Sequence, residues 1–149
     1  MSEFLEYTLD KFTFRVATDR YYNADGVWAK EDNGRFSIGL SDFLQQRSGD
    51  IAFADIVEPG SELSFGEEVA SIETIKVDIS LPSPITGTVI ETNPVMEMEP
   101  EVINEDPYGG GWLAIIEVAD WPADQAQLLD PQAYFEHMVA EAEEEAKNL

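Results

Sequence analysis

The sequence predicts a mainly β protein that ends in helices, and three features carry that reading. Short runs of strand formers recur at close spacing from Lys11 to Val118, separated by Gly, Pro, Asn and Asp. Glu73-Thr74-Ile75-Lys76-Val77 lies between two such runs, Val69 to Ile72 and Asp78 to Leu81, with turn chemistry at Gly66, Pro82-Ser83-Pro84 and Gly87, so it reads as a hairpin tip. After Val118 the pattern changes: Asp120-Trp121-Pro122 and Asp130-Pro131 each set a capping side chain before a proline near a helix start.

Taken in order, Lys11 to Val16 alternates polar and apolar residues and reads as a strand, behind an acidic segment with no clear assignment. Gly34 to Leu40 is a second strand, entered from the polar turn Lys30-Glu31-Asp32-Asn33-Gly34. Ser41 caps a short helix, Asp42 to Ser48, which Gly49 ends. Ile51 to Val57 follows as a buried strand. Gly60 to Ile72 and Val77 to Ile90 have similar lengths on either side of Lys76, which suggests two comparable halves with the lysine at the crossover, although no strict repeat is present. Trp112 to Val118 is the last, strongly apolar strand. In the final helix Tyr134, Phe135, Met138, Val139 and Ala142 form an apolar stripe that packs on the sheet, and Glu141 to Glu145 is expected to fray into solvent.

Composition narrows the function. A chain of 149 residues with 44% hydrophobic residues can bury a core. Its 8 basic against 31 acidic side chains, a net charge of -23, oppose binding to nucleic acid or anionic membranes; they fit steering toward basic patches on partner proteins and equally a salt-adapted or simply very soluble protein. Met1-Ser2-Glu3-Phe4-Leu5-Glu6 lacks the basic and apolar regions of a signal peptide, and no apolar run approaches a bilayer span, so a soluble, cytoplasmic monomer is expected. With no cysteine, sulfur redox chemistry has to arrive on a cofactor.

An enzyme is a poor fit. The one histidine, His137, lies beside the apolar stripe with no evident catalytic partner, Glu67-Glu68 and Glu97-Glu99 read as solvated surface rather than a metal site, and Gly109-Gly110-Gly111 lacks the Lys-Ser/Thr of a phosphate loop. Lys76 is the outstanding candidate: a scarce positive charge held on a rigid arm, where an ordinary lysine would only blunt a strand edge.

Glu73-Thr74-Ile75-Lys76, followed by an apolar strand and Ser83-Pro84-Ile85-Thr86-Gly87, resembles the attachment hairpin of lipoyl carrier domains. Ile75 and Val77 stand where biotin carriers usually place Met, which favours lipoate. Pro100-Glu101-Val102-Ile103-Asn104-Glu105-Asp106-Pro107-Tyr108-Gly109-Gly110-Gly111-Trp112 then matches a segment of the H proteins of the glycine cleavage system throughout, and Ile38 to Phe43 and Gly49-Asp50-Ile51 follow that family's order. The loop should be structural, with Tyr108 and Trp112 as anchors. The resemblance implies a barrel-sandwich hybrid with a C-terminal helical segment, residues 1–20 as an extension and 21–149 as the carrier domain. It also implies lipoate amide-linked to Lys76, with Glu73 recognised by the lipoate-attaching enzyme. The chain would shuttle a group between glycine decarboxylase, aminomethyltransferase and dihydrolipoamide dehydrogenase without being an enzyme itself.

Two family positions differ. The H proteins usually carry Ser/Thr-His-Glu-Trp where this chain has Asp25-Gly26-Val27-Trp28, and an Asp four residues after the lipoyl lysine where it has Ser80. In the family those two acids line the cleft that shelters the aminomethylated arm. Val27 cannot meet a protonated nitrogen, so Asp25 or Asp78 would have to compensate. The alternatives are an H-protein-like carrier of sulfur intermediates serving sulfur-oxidation enzymes, which would not need the acids, and an unmodified structural or regulatory homologue.

Overall fold

A computed structural model describes residues 3–147 of the chain. Its elements are β1 (Phe4–Leu9), β2 (Phe12–Ala17), β3 (Tyr21–Tyr22), β4 (Val27–Asp32), β5 (Arg35–Leu40), α1 (Asp42–Ser48), β6 (Ile51–Ile56), β7 (Glu62–Leu63), β8 (Glu68–Thr74), β9 (Asp78–Pro82), β10 (Gly87–Thr92), α2 (Val102–Glu105), β11 (Ala114–Val118), α3 (Trp121–Gln125) and α4 (Pro131–Lys147). A six-stranded sheet, β3-β4-β5-β11-β10-β7, faces a three-stranded one, β6-β8-β9, and β1-β2 forms a separate hairpin; all pairings are antiparallel. The fold is mainly β with a C-terminal helix, as expected, and its sheets do not close into a barrel.

The main core lies between the two larger sheets. Ile38 and Leu40 of β5, Val69 and Ile72 of β8, Leu81 of β9 and Ile116 of β11 meet there and are essentially excluded from water. The two halves around Lys76 are nested: β8 pairs with β9, and outside them β7 pairs with β10. Buried Asp124 ties α3 to the base of this unit, its carboxylate accepting from Thr86 N (2.7 Å) and Thr86 Oγ1 (2.8 Å).

A second core joins the β1-β2 hairpin to the helices through Phe14, Phe43, Tyr22, Tyr134 and Met138. Tyr22 and Tyr134 stack with centroids 4.4 Å apart. Trp28 lies across Gly39, where any Cβ would come within 2.5 Å of the indole, so only glycine fits opposite it. The Trp28 Nε1 donates to Leu40 O and Pro107 O, and the buried Arg20 guanidinium covers both Trp28 (4.6 Å) and Tyr108 (5.0 Å) while donating to Tyr108 O. Arg20 thus pins the glycine-rich loop to the sheet.

Several expectations are corrected. The acidic start, left unassigned by sequence, is β1, paired with β2 from Phe4↔Ala17 to Leu9↔Phe12. Lys30, Glu31 and Asp32 belong to β4, and only Asn33 and Gly34 turn; both have positive φ (55° and 80°), as a two-residue hairpin loop requires. Ile51 to Ile56 is an outer strand rather than a buried one, with Phe53 66% exposed, because no sheet covers that face. The final strand starts at Ala114, since Trp112 and Leu113 run into it as irregular chain. Glu141 and Glu145 do not fray: helix α4 continues to Lys147, and both carboxylates pair with Arg47 of α1.

The caps fall where the sequence puts them. Ser41 Oγ accepts from Leu44 N, Asp120 Oδ1 from Ala123 N and Asp130 Oδ1 from Ala133 N. No helix among the described residues is long and apolar enough to cross a membrane.

Burial sets the alkaline behaviour. Loss of water around the phenols, the largest cause in each case, holds Tyr22 and Tyr134 far above the usual range and pushes Tyr108 up to about 12. The unfolded chain releases these protons near pH 10 while the native state keeps them, so the native state binds more protons and stability falls as pH rises from about 10 toward 12. Following tyrosinate absorbance, we expect no more than two of the five tyrosines to ionise near pH 10 in the folded protein. Ionisation of all five there, with the fold retained, would contradict the packing.

Candidate functional site

The β8-β9 hairpin puts Lys76 at its tip. Ile75, Lys76 and Val77 connect the strands, and Thr74 organises the bend. Its Oγ1 donates to Val77 O (3.0 Å) and accepts from Val77 N (3.0 Å) and Lys76 N (3.2 Å), while Thr74 N donates to Val77 O (2.9 Å). A hydroxyl bonded to the backbone two and three residues ahead fixes the tip without burying it. Lys76 is exposed, and among the described residues no carboxylate lies within ion-pair distance of its Nζ.

The tip has a firm base. The end of the lysine chain passes α1, where a Cβ on Gly49 would stand 3.8 Å from Lys76 Cε and 4.0 Å from Nζ. Asn104, from the Pro100 to Trp112 segment, secures that corner: its Nδ2 donates to Gly49 O (2.9 Å) and Gln45 Oε1 (3.0 Å), and its Oδ1 accepts from Ile51 N (2.9 Å). The segment is structural, as its composition suggests, and it contains a helical turn, α2, not evident from its glycines and proline. Tyr108 anchors it, donating from its hydroxyl to Arg15 O and accepting from Asp42 N.

Glu73 is exposed on β8 with Phe53 and Asp78 as cross-strand neighbours. Two carboxylates directly opposite each other oppose folding slightly. Ile75 is 85% exposed and Val77 47%, so the lysine is flanked by apolar side chains in water.

Beside the tip runs an open cleft of about 460 Å³ between the hairpin, α1 and α4. Asp25, Asp78 and Glu141 bring three carboxylates to it, with Ser80 and the Arg47 guanidinium. Asp25 is held there by Asn23, whose Oδ1 accepts from Asp25 N and Val27 N and whose Nδ2 donates to Pro82 O (3.0 Å). Arg47 bonds Glu141 (3.1 Å) and Glu145 (2.7 Å), and His137, donating from Nε2 to Ala24 O, also meets Glu141. These ion pairs are partly exposed, so each is worth only ~0–1 kcal/mol and can rearrange.

The structure therefore gathers Lys76, Asp25, Asp78 and Ser80 in one region and leaves Val27 in the core. Sequence reasoning missed Thr74 as the tip's organiser, although a threonine two residues before the lysine is a recognisable turn signal. It also missed Arg47 and Glu141, which no local pattern links, being 94 residues apart.

Comparison with known proteins bears on the same residues. The glycine cleavage H-protein family matches residues 20–141. The chain is 39% identical over 132 residues to glycine cleavage system H protein 4 of Aquifex aeolicus, covering 89% of this chain and 77% of that protein. It is 38% identical over 127 residues to the glycine cleavage system H protein of Marinobacter nauticus, covering 85% and 97%. The crystal structure of a glycine cleavage system H protein from Mycobacterium marinum superimposes with a TM-score of 0.68 at 28% identity, over 78% of this chain and 94% of that one. A hairpin of this form, the loop anchored by Asn104 and Tyr108, and a match over most of the chain place this protein in the glycine cleavage H-protein family.

Proposed function

We propose that this chain is a lipoyl carrier of the glycine cleavage system, with lipoate amide-linked to Lys76 and an aminomethyl group as its cargo. The observation that carries this reading is an exposed amine, without an ion-pair partner among the described residues, on a stiff tip beside a cleft holding three carboxylates. When bound, lipoate supplies a dithiolane that partner enzymes load, reduce and reoxidise. The chain contributes everything else.

Thr74 holds the Lys76 backbone so that an attaching enzyme meets one tip conformation rather than many. Glu73 serves recognition. Facing Asp78 across the strands it slightly opposes folding, which supports a role in contact with the attaching enzyme. The family resemblance leaves Val27 and Ser80 in place of two acids, and Asp25, Asp78 and Glu141 answer that loss from neighbouring positions. A protonated nitrogen entering the cleft finds charge-assisted acceptors worth roughly 1.5–3 kcal/mol. This favours aminomethyl cargo over a sulfur intermediate, which would not need them, and the relatives reported above carry glycine cleavage names. Glycine decarboxylase, aminomethyltransferase and dihydrolipoamide dehydrogenase are the partners this reading requires. With the net charge of -23, their docking surfaces should be basic.

Intact-mass analysis after expression with lipoate should show one lipoyl mass shift on Lys76 and none in Lys76→Arg; an unmodified wild type would overturn the proposal. Thr74→Val should slow modification by the attaching enzyme about tenfold, with Thr74→Ser close to wild type, because only the hydroxyl is needed. Equal rates for all three would remove Thr74 from the site. Asp25→Asn should shorten the lifetime of the aminomethyl-loaded protein about tenfold, the loss of one charge-assisted contact, as measured by formaldehyde release. An unchanged lifetime would place the cargo elsewhere.

A further inference from the structure

A cavity of about 210 Å³ lies under the β1-β2 hairpin, on the far side of Arg47 from the acidic cleft. Leu9, Phe12, Phe14, Phe43, Ala142 and Ala146 make walls that are almost wholly apolar. Phe14 and Phe43 meet edge to face at 5.2 Å, and Phe12, half exposed, stands at the mouth. Most of these residues fall outside the 20–141 span that matches the family model. Nothing in the carrier reading uses it.

The two recesses share a wall. Arg47 lines both, and its bonds to Glu141 and Glu145 close the line between them. Phe43 and Gln46 face the apolar side of α1, while Leu44 and Ser48 face the acidic side. The Lys76 side chain already lies against Gly49 at the end of that helix. At 1.5 Å rise per residue, Phe43 is roughly 9 Å further along the axis. An eight-carbon acyl chain on Nζ spans about 10 Å at ordinary bond lengths, so its far end reaches the cavity mouth once the half-exposed Arg47 side chain swings aside.

We infer that the cavity is a second resting place for the arm, taking the neutral dithiolane when it carries no cargo, while the acidic cleft takes the loaded, protonated form. This rests on the lipoyl reading given above. Charge biases the two states: an ammonium would lose its water against walls made mostly of phenylalanine and alanine, where one of the two carboxylates, Glu145, is already held by Arg47, whereas an uncharged ring of two sulfurs and three carbons gains contact there. A free apolar ligand would occupy so small and open a recess only weakly. A tethered one is present at millimolar effective concentration, so weak affinity suffices. Two of the three charged groups lining it, Asp10 and Glu145, are acids, which disfavours a free carboxylate such as a fatty acid.

The test compares amide spectra of the unmodified and lipoylated proteins, after intact mass has verified modification of Lys76, in wild type and in Ala146→Leu. That substitution fills the cavity from a half-buried helical position and keeps a good helix former. Lipoylation should shift the amides of Leu9, Phe12, Ala142 and Ala146 in wild type. In Ala146→Leu the shifts at Leu9 and Phe12 should disappear while those near Ser48 and Asp78 persist. A bulky phosphine should reduce the dithiolane about threefold faster in Ala146→Leu, the protection expected from a tethered group that occupies a weak site most of the time. Shifts confined to the tip and the acidic cleft in a fully modified protein would overturn this inference and leave the carrier role intact. Absence of the mass shift would overturn both.

Discussion

Asn104 is the constraint on which the working end of this molecule depends. One amide group joins the end of α1, through Gly49 O and Gln45, to the first residue of β6, and β6 is the strand that supports β8. Without that junction the helix and the outer sheet are held there by the short Gly49-Asp50 link and side-chain packing, and the lysine hairpin loses the corner it stands on. The loop that carries Asn104 is itself fastened by Tyr108, Arg20 and Trp28, so the glycine-rich segment and the hairpin form a single mechanical unit. A half-buried side-chain amide with three partners tolerates little substitution, because each lost partner leaves a polar group poorly satisfied.

The same unit explains why a stiff body carries a loose arm. Val69, Ala70, Ile72 and Leu81 of the hairpin are packed into the core, whereas the backbone of Ile75, Lys76 and Val77 is defined by the Thr74 hydroxyl and the strand ends, with the Lys76 side chain passing Gly49. Rigidity at the base keeps the effective concentration of a tethered group high near the two recesses that flank α1, and exposure at the tip leaves it free for partner enzymes. Arg47 separates those recesses by charge. Because its ion pairs are weak and water-exposed, exchange between them need not disturb the core.

Much of this was legible in the sequence. The hairpin, the helix caps at Ser41, Asp120 and Asp130, and the last helix follow from local turn chemistry and periodicity, which act within a few residues. What escaped was set by distance. Phe4 to Leu9 becomes a strand only because it has Phe12 to Ala17 to pair with, and Phe53 is exposed only because no third layer covers β6. Glu141 looked like part of an acidic tail; Arg47, 94 residues away, makes it a wall of the site. Asp25 and Asp78 could be named as candidates from sequence, yet their convergence on one cleft depends on Asn23 gripping Pro82, a contact that no periodicity announces.

The central claim is that Lys76 bears an arm whose aminomethyl cargo is sheltered by this chain's own carboxylates. The most direct measurement mixes the lipoylated protein with glycine decarboxylase and glycine and follows carbon dioxide release. Release that requires Lys76, with the methylamine nitrogen recovered on the carrier, is the predicted result. A fully lipoylated protein that supports no release would contradict the account and assign the arm to another cargo.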